Sequence, residues 1–162
     1  MLKLRYLFVV LMAGGLLAGC SGANTGGGNE STFRQNLGTA DRTTLVQETR
    51  EALLTRYGFH LEREVTSTED VRFETEWKEE SALEDERTEG YTHARTRIVV
   101  TARPRNRSTS GAQSYAVRFV AETEVQPLGS DVWQLAPMTP MRLDYIRQIS
   151  NHLRTEYSTA LR

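Results

Sequence analysis

The sequence predicts an α+β fold, a single two-layer domain in which a helix, an antiparallel sheet of four to five strands and a C-terminal helix follow one another. Three stretches, Val71–Lys78, Tyr91–Arg103 and Ser114–Val125, alternate apolar and polar residues with period two, as strands covered on one face do. Two others, Asp41–Tyr57 and the segment opening at Thr139, repeat apolar residues every three or four positions and so line one side of a helix. One covered face and two amphipathic helices imply that both helices lie on the same side of the sheet.

The elements follow in order. Asp41 is placed to cap the first helix, and Thr44 to Gln47 has the spacing of a capping box one turn later. Leu45, Thr49, Ala52, Leu53 and Tyr57 form its inner stripe, and Gly58 suits the left-handed position that ends a helix. A strand then begins at Phe59-His60-Leu61, with Phe59, Leu61 and Val65 inward. In Val71–Lys78 the inward set is Val71, Phe73, Thr75 and Trp77, and the outward set is Arg72, Glu74, Glu76 and Lys78. Glu79 to Gly90 reads as a solvated acidic loop. Tyr91–Arg103 points Ala94, Thr96, Ile98, Val100 and Ala102 inward, and Tyr91, His93, Arg95, Arg97 and Val99 outward. The polar stretch from Pro104 to Gln113 turns the chain into Ser114–Val125, whose inward residues are Tyr115, Val117, Phe119, Ala121 and Thr123. Val132–Leu135 is a short fifth strand. Thr139-Pro140, a capping hydroxyl before a proline at the first helical position, opens the last helix, with Leu143, Ile146, Ile149, Leu153 and Tyr157 as its stripe.

Ahead of the domain stands a different kind of sequence. Lys3 and Arg5 precede an uncharged run from Tyr6 to Leu17, about 12 residues where a membrane-spanning helix needs ~20. A basic start, a short apolar run and small residues at the end describe a secretory signal peptide over residues 1–19. Leu17-Ala18-Gly19-Cys20 resembles a bacterial lipobox, and the resemblance implies lipidation of Cys20, the one cysteine of the chain. Residues 20–40, with Gly26-Gly27-Gly28 at their centre, read as a tether with a root-mean-square reach of about 25 Å. The folded domain is assigned to residues 41–162.

Composition narrows the function classes. Cleavage before Cys20 leaves 143 residues, 18 basic and 21 acidic, a balance that argues against nucleic acid as the main partner. Charge is uneven along the chain. Glu62 to Glu89 holds 12 acidic and 4 basic residues, whereas Tyr91 to Arg162 holds 10 arginines and 5 acids, so neighbouring strands are expected to neutralise one another. The histidines, His60, His93 and His152, lack metal-ligand spacing, and the acidic clusters lack the glycine and alternation of a calcium loop. With no nucleophile motif either, the sequence predicts no catalysis, cofactor or metal. The expected working surface is the uncovered sheet face, with Arg72, Lys78, His93, Arg95, Arg97 and Arg118 as its interface candidates and Glu74, Glu76 and Glu122 between them. Arginine is common at interfaces because its planar fork bonds carboxylates and stacks on rings.

Tyr57-Gly58-Phe59-His60-Leu61, Phe73-Glu74-Thr75-Glu76-Trp77, the acidic segment and Arg95-Thr96-Arg97 together resemble BamC, the accessory lipoproteins of the outer-membrane β-barrel assembly machine. The similarity spans about Thr44 to Val125 and implies a helix-grip fold. BamC carries two such domains and a long structured N-terminal segment that docks on its partner; here one domain follows a glycine-rich segment. The resemblance carries over no site residue other than Cys20. It implies a palmitoylated outer-membrane lipoprotein facing the periplasm, with an envelope-assembly protein as partner; Ser21, after the lipidated cysteine, is similar to residues that permit export to that membrane. The alternative expectations are an accessory lipoprotein of lipopolysaccharide export and a binder of a small amphiphile between helices and sheet.

Overall fold

The computed structural model describes residues 30–105 and 113–159. The signal peptide, the lipobox with Cys20, the three consecutive glycines and most of the turn after Pro104 lie outside the described residues. The fold is α+β, an open antiparallel sheet with its helices on one side.

Two long strands make the spine, β5 (Tyr91–Pro104) and β6 (Ser114–Pro127), paired in register from Ala94↔Val125 to Pro104↔Tyr115. Each is flanked by two shorter strands laid end to end. Along β5 run β3 (Val71–Thr75), opposite Val99 to Ala102, and β4 (Lys78–Ser81), opposite His93 to Thr96. Along β6 run β1 (Thr32–Asp41) and the two-residue β7 (Gln134–Leu135). The strand β2 (Leu61–Thr66) closes the β3 side. The sheet therefore has seven strands where the sequence predicts four to five.

The additional strand β1 corrects the tether. Residues 32–40 are assigned to it from composition, yet they pair with β6 and bury Leu37 and Ala40. Gly38, at φ +95°, sits where the register shifts, a bulge that explains why the stretch lacks clean alternation.

The first helix, α1 (Arg42–Arg50), begins as predicted, with the Asp41 carboxylate accepting the Thr44 N–H at 3.0 Å. It widens into a π-helical turn over Glu51–Arg56, closed by Tyr57 N–H to Ala52 O at 2.9 Å, and Gly58 leaves it at φ +65°. Leu45, Thr49, Ala52 and Leu53 are buried, as the stripe requires. The C-terminal helix, α3 (Pro140–Thr159), buries Ile146, Ile149, Leu153 and Tyr157 against the same core, which also holds Phe59, Phe73, Ile98, Val100 and Phe119. Tyr157 and Thr49 join the two helices by a buried 2.7 Å hydrogen bond between their hydroxyls.

Three further expectations are corrected, each for a local reason. Glu79 to Gly90 is not a loop: it forms part of β4 and a short helix, α2 (Glu84–Thr88), with Glu86 buried. The strand expected to run unbroken over Val71–Lys78 stops at Thr75 and restarts at Lys78, which reverses the faces beyond the break. Lys78, opposite Thr96, lies on the covered side, and Trp77 lies on the uncovered side against Arg95 and Arg97. In β2 a register shift between Leu61 and Arg63 does the same, placing Val65 opposite Arg72 on the uncovered side.

Candidate interaction surface on the uncovered sheet face

Alternation along β3, β5 and β6 sends one set of side chains into the core and leaves Arg72, Glu74, Arg95, Arg97, Val99, Thr101, Arg118, Val120, Glu122 and Glu124 on the opposite face. Cross-strand register then decides the electrostatics. Arg97 stands opposite Glu122 and Arg95 opposite Glu124. Arg97 donates to Glu122 from Nη2 at 2.7 Å and from Nε at 3.2 Å, and its Nη1 lies 3.6 Å from Glu74. Arg72 donates to Glu74 from Nη2 at 2.8 Å and from Nε at 3.0 Å. The four residues form a charge ladder across three strands. The Glu122 hydrogen bond, aided by the charges of Glu74 and Glu62 against the effect of partial burial, raises the Arg97 pKa above its already high value.

Beside the ladder stands an aromatic–cation stack. The Arg95 guanidinium carbon lies 4.7 Å from the Trp77 ring centroid and 4.6 Å from that of Trp133, while Arg95 Nε donates to Glu124 at 2.7 Å. Arg97 lies 5.1 Å from Trp77 on the same side. A guanidinium within about 6 Å of a tryptophan face gains roughly 0.5–2 kcal/mol, more as water is excluded. Both tryptophans of the chain are thus held, half-buried, on the face that the helices leave open.

The sequence-predicted interface residues divide accordingly. Arg72, Arg95 and Arg97 come together; Arg118 lies on the same face nearer the Pro104 end of the hairpin, and His93 is exposed at its other end. Lys78 does not join them. Arg118 instead lines a surface depression of 470 Å³ with Arg105, Asn36 and Gly38. Sequence reasoning missed Trp77, Trp133 and Glu124 as parts of this face. Glu124 was legible, since it shares the phase of Glu122 and both acids match the spacing of Arg95 and Arg97. Trp133 was not, because β7 is too short to display a period.

Lys78 belongs to a second charged cluster on the covered side. Arg142, near the start of α3 and 1% exposed, donates to both oxygens of Glu86 at 2.8 and 2.9 Å and to Glu80 at 3.2 Å. Lys78 Nζ lies 2.8 Å from Glu80, donates to the Tyr57 carbonyl at 2.8 Å and sits 5.1 Å from the Phe59 ring centroid. Burial alone lowers the Lys78 pKa, yet Glu80 and Tyr145 together raise it. Asp85 completes the clamp by accepting the Met141 N–H at 2.9 Å. The acidic segment thus holds α3 onto the sheet.

No group of three or more His, Cys, Asp or Glu residues suited to a metal ion occurs among the described residues. No helix among them is long and apolar enough to cross a membrane. No protein-family model matches the chain, and no curated protein is significantly similar to it.

Proposed function

We propose that this chain is a lipoprotein anchored through Cys20 in the outer membrane, with its single domain facing the periplasm as a non-catalytic interaction module of envelope assembly, in the manner of BamC. One observation supports this reading above the others: both tryptophans and three arginines are pre-set on a sheet face that no other part of the described chain covers. Tryptophan and arginine dominate binding hot spots because each presents a large flat surface at small loss of side-chain freedom. The ion pairs fix the guanidinium planes beforehand, so a partner does not have to order them. Acylation at Cys20 concentrates the module toward partners in the same membrane.

A photo-crosslinking residue at Thr101 or Val120, on the uncovered face, tests the reading in cells that make the lipidated chain. The expected result is a discrete adduct with an envelope-assembly protein that is absent when the probe stands at exposed Gln148 on α3. Equal labelling from both positions, or none from the face, overturns it. Palmitate incorporation that vanishes in Cys20→Ser tests the anchor separately.

The amphiphile-binding alternative finds its support elsewhere than expected. Phe73, Phe119 and Ile146, between helices and sheet, are fully buried. An open groove of 730 Å³ runs instead along α1, where Val46 and Leu54 lie among Arg42, Arg50, Glu48 and Glu51. Its apolar residues between balanced charges could receive an amphiphile, and labelling of the groove by a photoactivatable fatty acid would favour this reading.

A further inference from the structure

The most exposed large apolar residues of the described domain lie in one short stretch. Leu128, Val132 and Leu135 are 77%, 69% and 69% exposed, three of the five large hydrophobic residues that the described domain leaves in solvent. Their location is defined by hydrogen bonds. The Leu128 N–H bonds the Gly90 carbonyl at 2.9 Å, which fixes the stretch at the end of the β5–β6 hairpin opposite its turn. Leu135, in β7, pairs with Glu124 on the edge of β6 where β1 leaves off. The chain enters the domain at this point. The Ser31 carbonyl accepts from Thr123 N at 2.9 Å, and the Glu30 carbonyl accepts from Met138 N at 3.3 Å.

We infer that Leu128, Val132 and Leu135 dock onto the lipid surface that holds the anchor, so that the domain rests on the bilayer by its β7 end. The inference builds on the proposed acylation of Cys20. Ten residues lead from Cys20 to Glu30. Ten residues span at most about 33–36 Å however they are arranged. The end of the domain that carries Glu30 is therefore kept within that distance of the headgroups, and it is the end that carries the three exposed side chains. Confinement turns a weak apolar contact into an intramolecular one, which needs little intrinsic affinity to be populated. Exposed Glu89, beside Gly90, and Asp131, beside Val132, flank the patch. They set its preference: a zwitterionic surface is favoured, and anionic headgroups oppose docking. Docking in this pose leaves Arg105 and Arg118, toward the hairpin turn, at the end away from the membrane.

Trp133, next to Val132, is a native reporter. The full lipidated chain carrying Trp77→Phe, which leaves Trp133 as the single tryptophan, is reconstituted into phosphatidylcholine vesicles made with and without bromine on the acyl chains. Flotation with the vesicles reports the anchor, and quenching of Trp133 reports docking. The account expects flotation together with roughly two-fold or greater quenching. It also expects quenching to disappear in the Leu128→Asp/Val132→Asp/Leu135→Asp variant, which still floats, and to weaken as phosphatidylglycerol replaces phosphatidylcholine. Flotation without quenching overturns docking and leaves anchoring intact, pointing to a protein partner for the patch. Quenching unchanged in the triple variant assigns contact to another surface and also overturns the inference. Failure to float overturns the anchor and docking together.

Discussion

Arginine and glutamate meet on both sides of the sheet, and the two meetings differ in what surrounds them. On the covered side Arg142 grips Glu86 with both groups almost wholly buried. On the uncovered side Arg97 grips Glu122 with about a third of each side chain in water. The geometry is similar and the energetics are not. A buried ion pair gains little over a well-packed apolar pair, but removing one partner strands the other charge in low dielectric. A solvent-facing pair is worth about 0–1 kcal/mol, and water takes over when it breaks. The covered cluster therefore behaves as part of the fold, whereas the uncovered ladder can change with little loss of stability. Selection for binding can act on such a face.

The largest expected effect is at the covered cluster. Arg142→Met leaves Glu86 buried without its partner and should lower unfolding free energy by about 3–5 kcal/mol, read from urea midpoints. Arg142→Met/Glu86→Met should recover most of that loss. A single variant within about 1 kcal/mol of wild type would erase the distinction between the two sides.

The helix–helix contact ranks next. Tyr157→Phe removes the buried bond to Thr49 and should cost about 0.5–1.5 kcal/mol at neutral pH. Burial raises the Tyr157 pKa far above the ordinary phenol value, and the Thr49 hydrogen bond offsets this only in part. The folded state therefore favours the neutral phenol. Its contribution is complete below the unfolded pKa of about 10 and is lost as pH rises beyond it. Urea midpoints measured on either side of that value should fall with pH in wild type, and less steeply in Tyr157→Phe.

The Asp41 cap has the opposite sign. Burial alone would raise its pKa, but hydrogen bonds from the Thr44 hydroxyl and from the Thr44 and Thr43 amides leave it lowered. Its stabilisation is present above the unfolded carboxylate pKa and disappears as pH falls through the folded one. Asp41→Ala should cost about 1 kcal/mol at neutral pH and much less in acid. Smallest of all, Arg97→Met or Glu122→Gln should shift stability by no more than about 1 kcal/mol, with high salt shrinking the difference further.

What the sequence made legible follows from the same contrast. Strands buried on one face display their period, so the inward sets of β5 and β6 were readable residue by residue, as were both helix stripes. Where the chain breaks its period, composition misled. Residues 32–40 are rich in small and polar types and hide a bulged strand. Glu79 to Gly90 looks solvated because charge count says nothing about a distant arginine, and Arg142 lies 56 residues beyond its partner Glu86. The break between Thr75 and Lys78 reversed Trp77 and Lys78, which exchanged one expected interface residue for a tryptophan. Arg72, Arg95 and Arg97 were found from sequence because β3 and β5 keep their period across the positions that carry them.

The claim that the uncovered face is the working surface is tested most directly by Arg95→Gln/Arg97→Gln. The variant is made in the lipidated chain with the Thr101 photo-crosslinker, and its urea midpoint is measured in parallel. The account predicts a midpoint close to wild type and loss of the face-specific adduct. An adduct of undiminished yield from a variant of normal stability would contradict it.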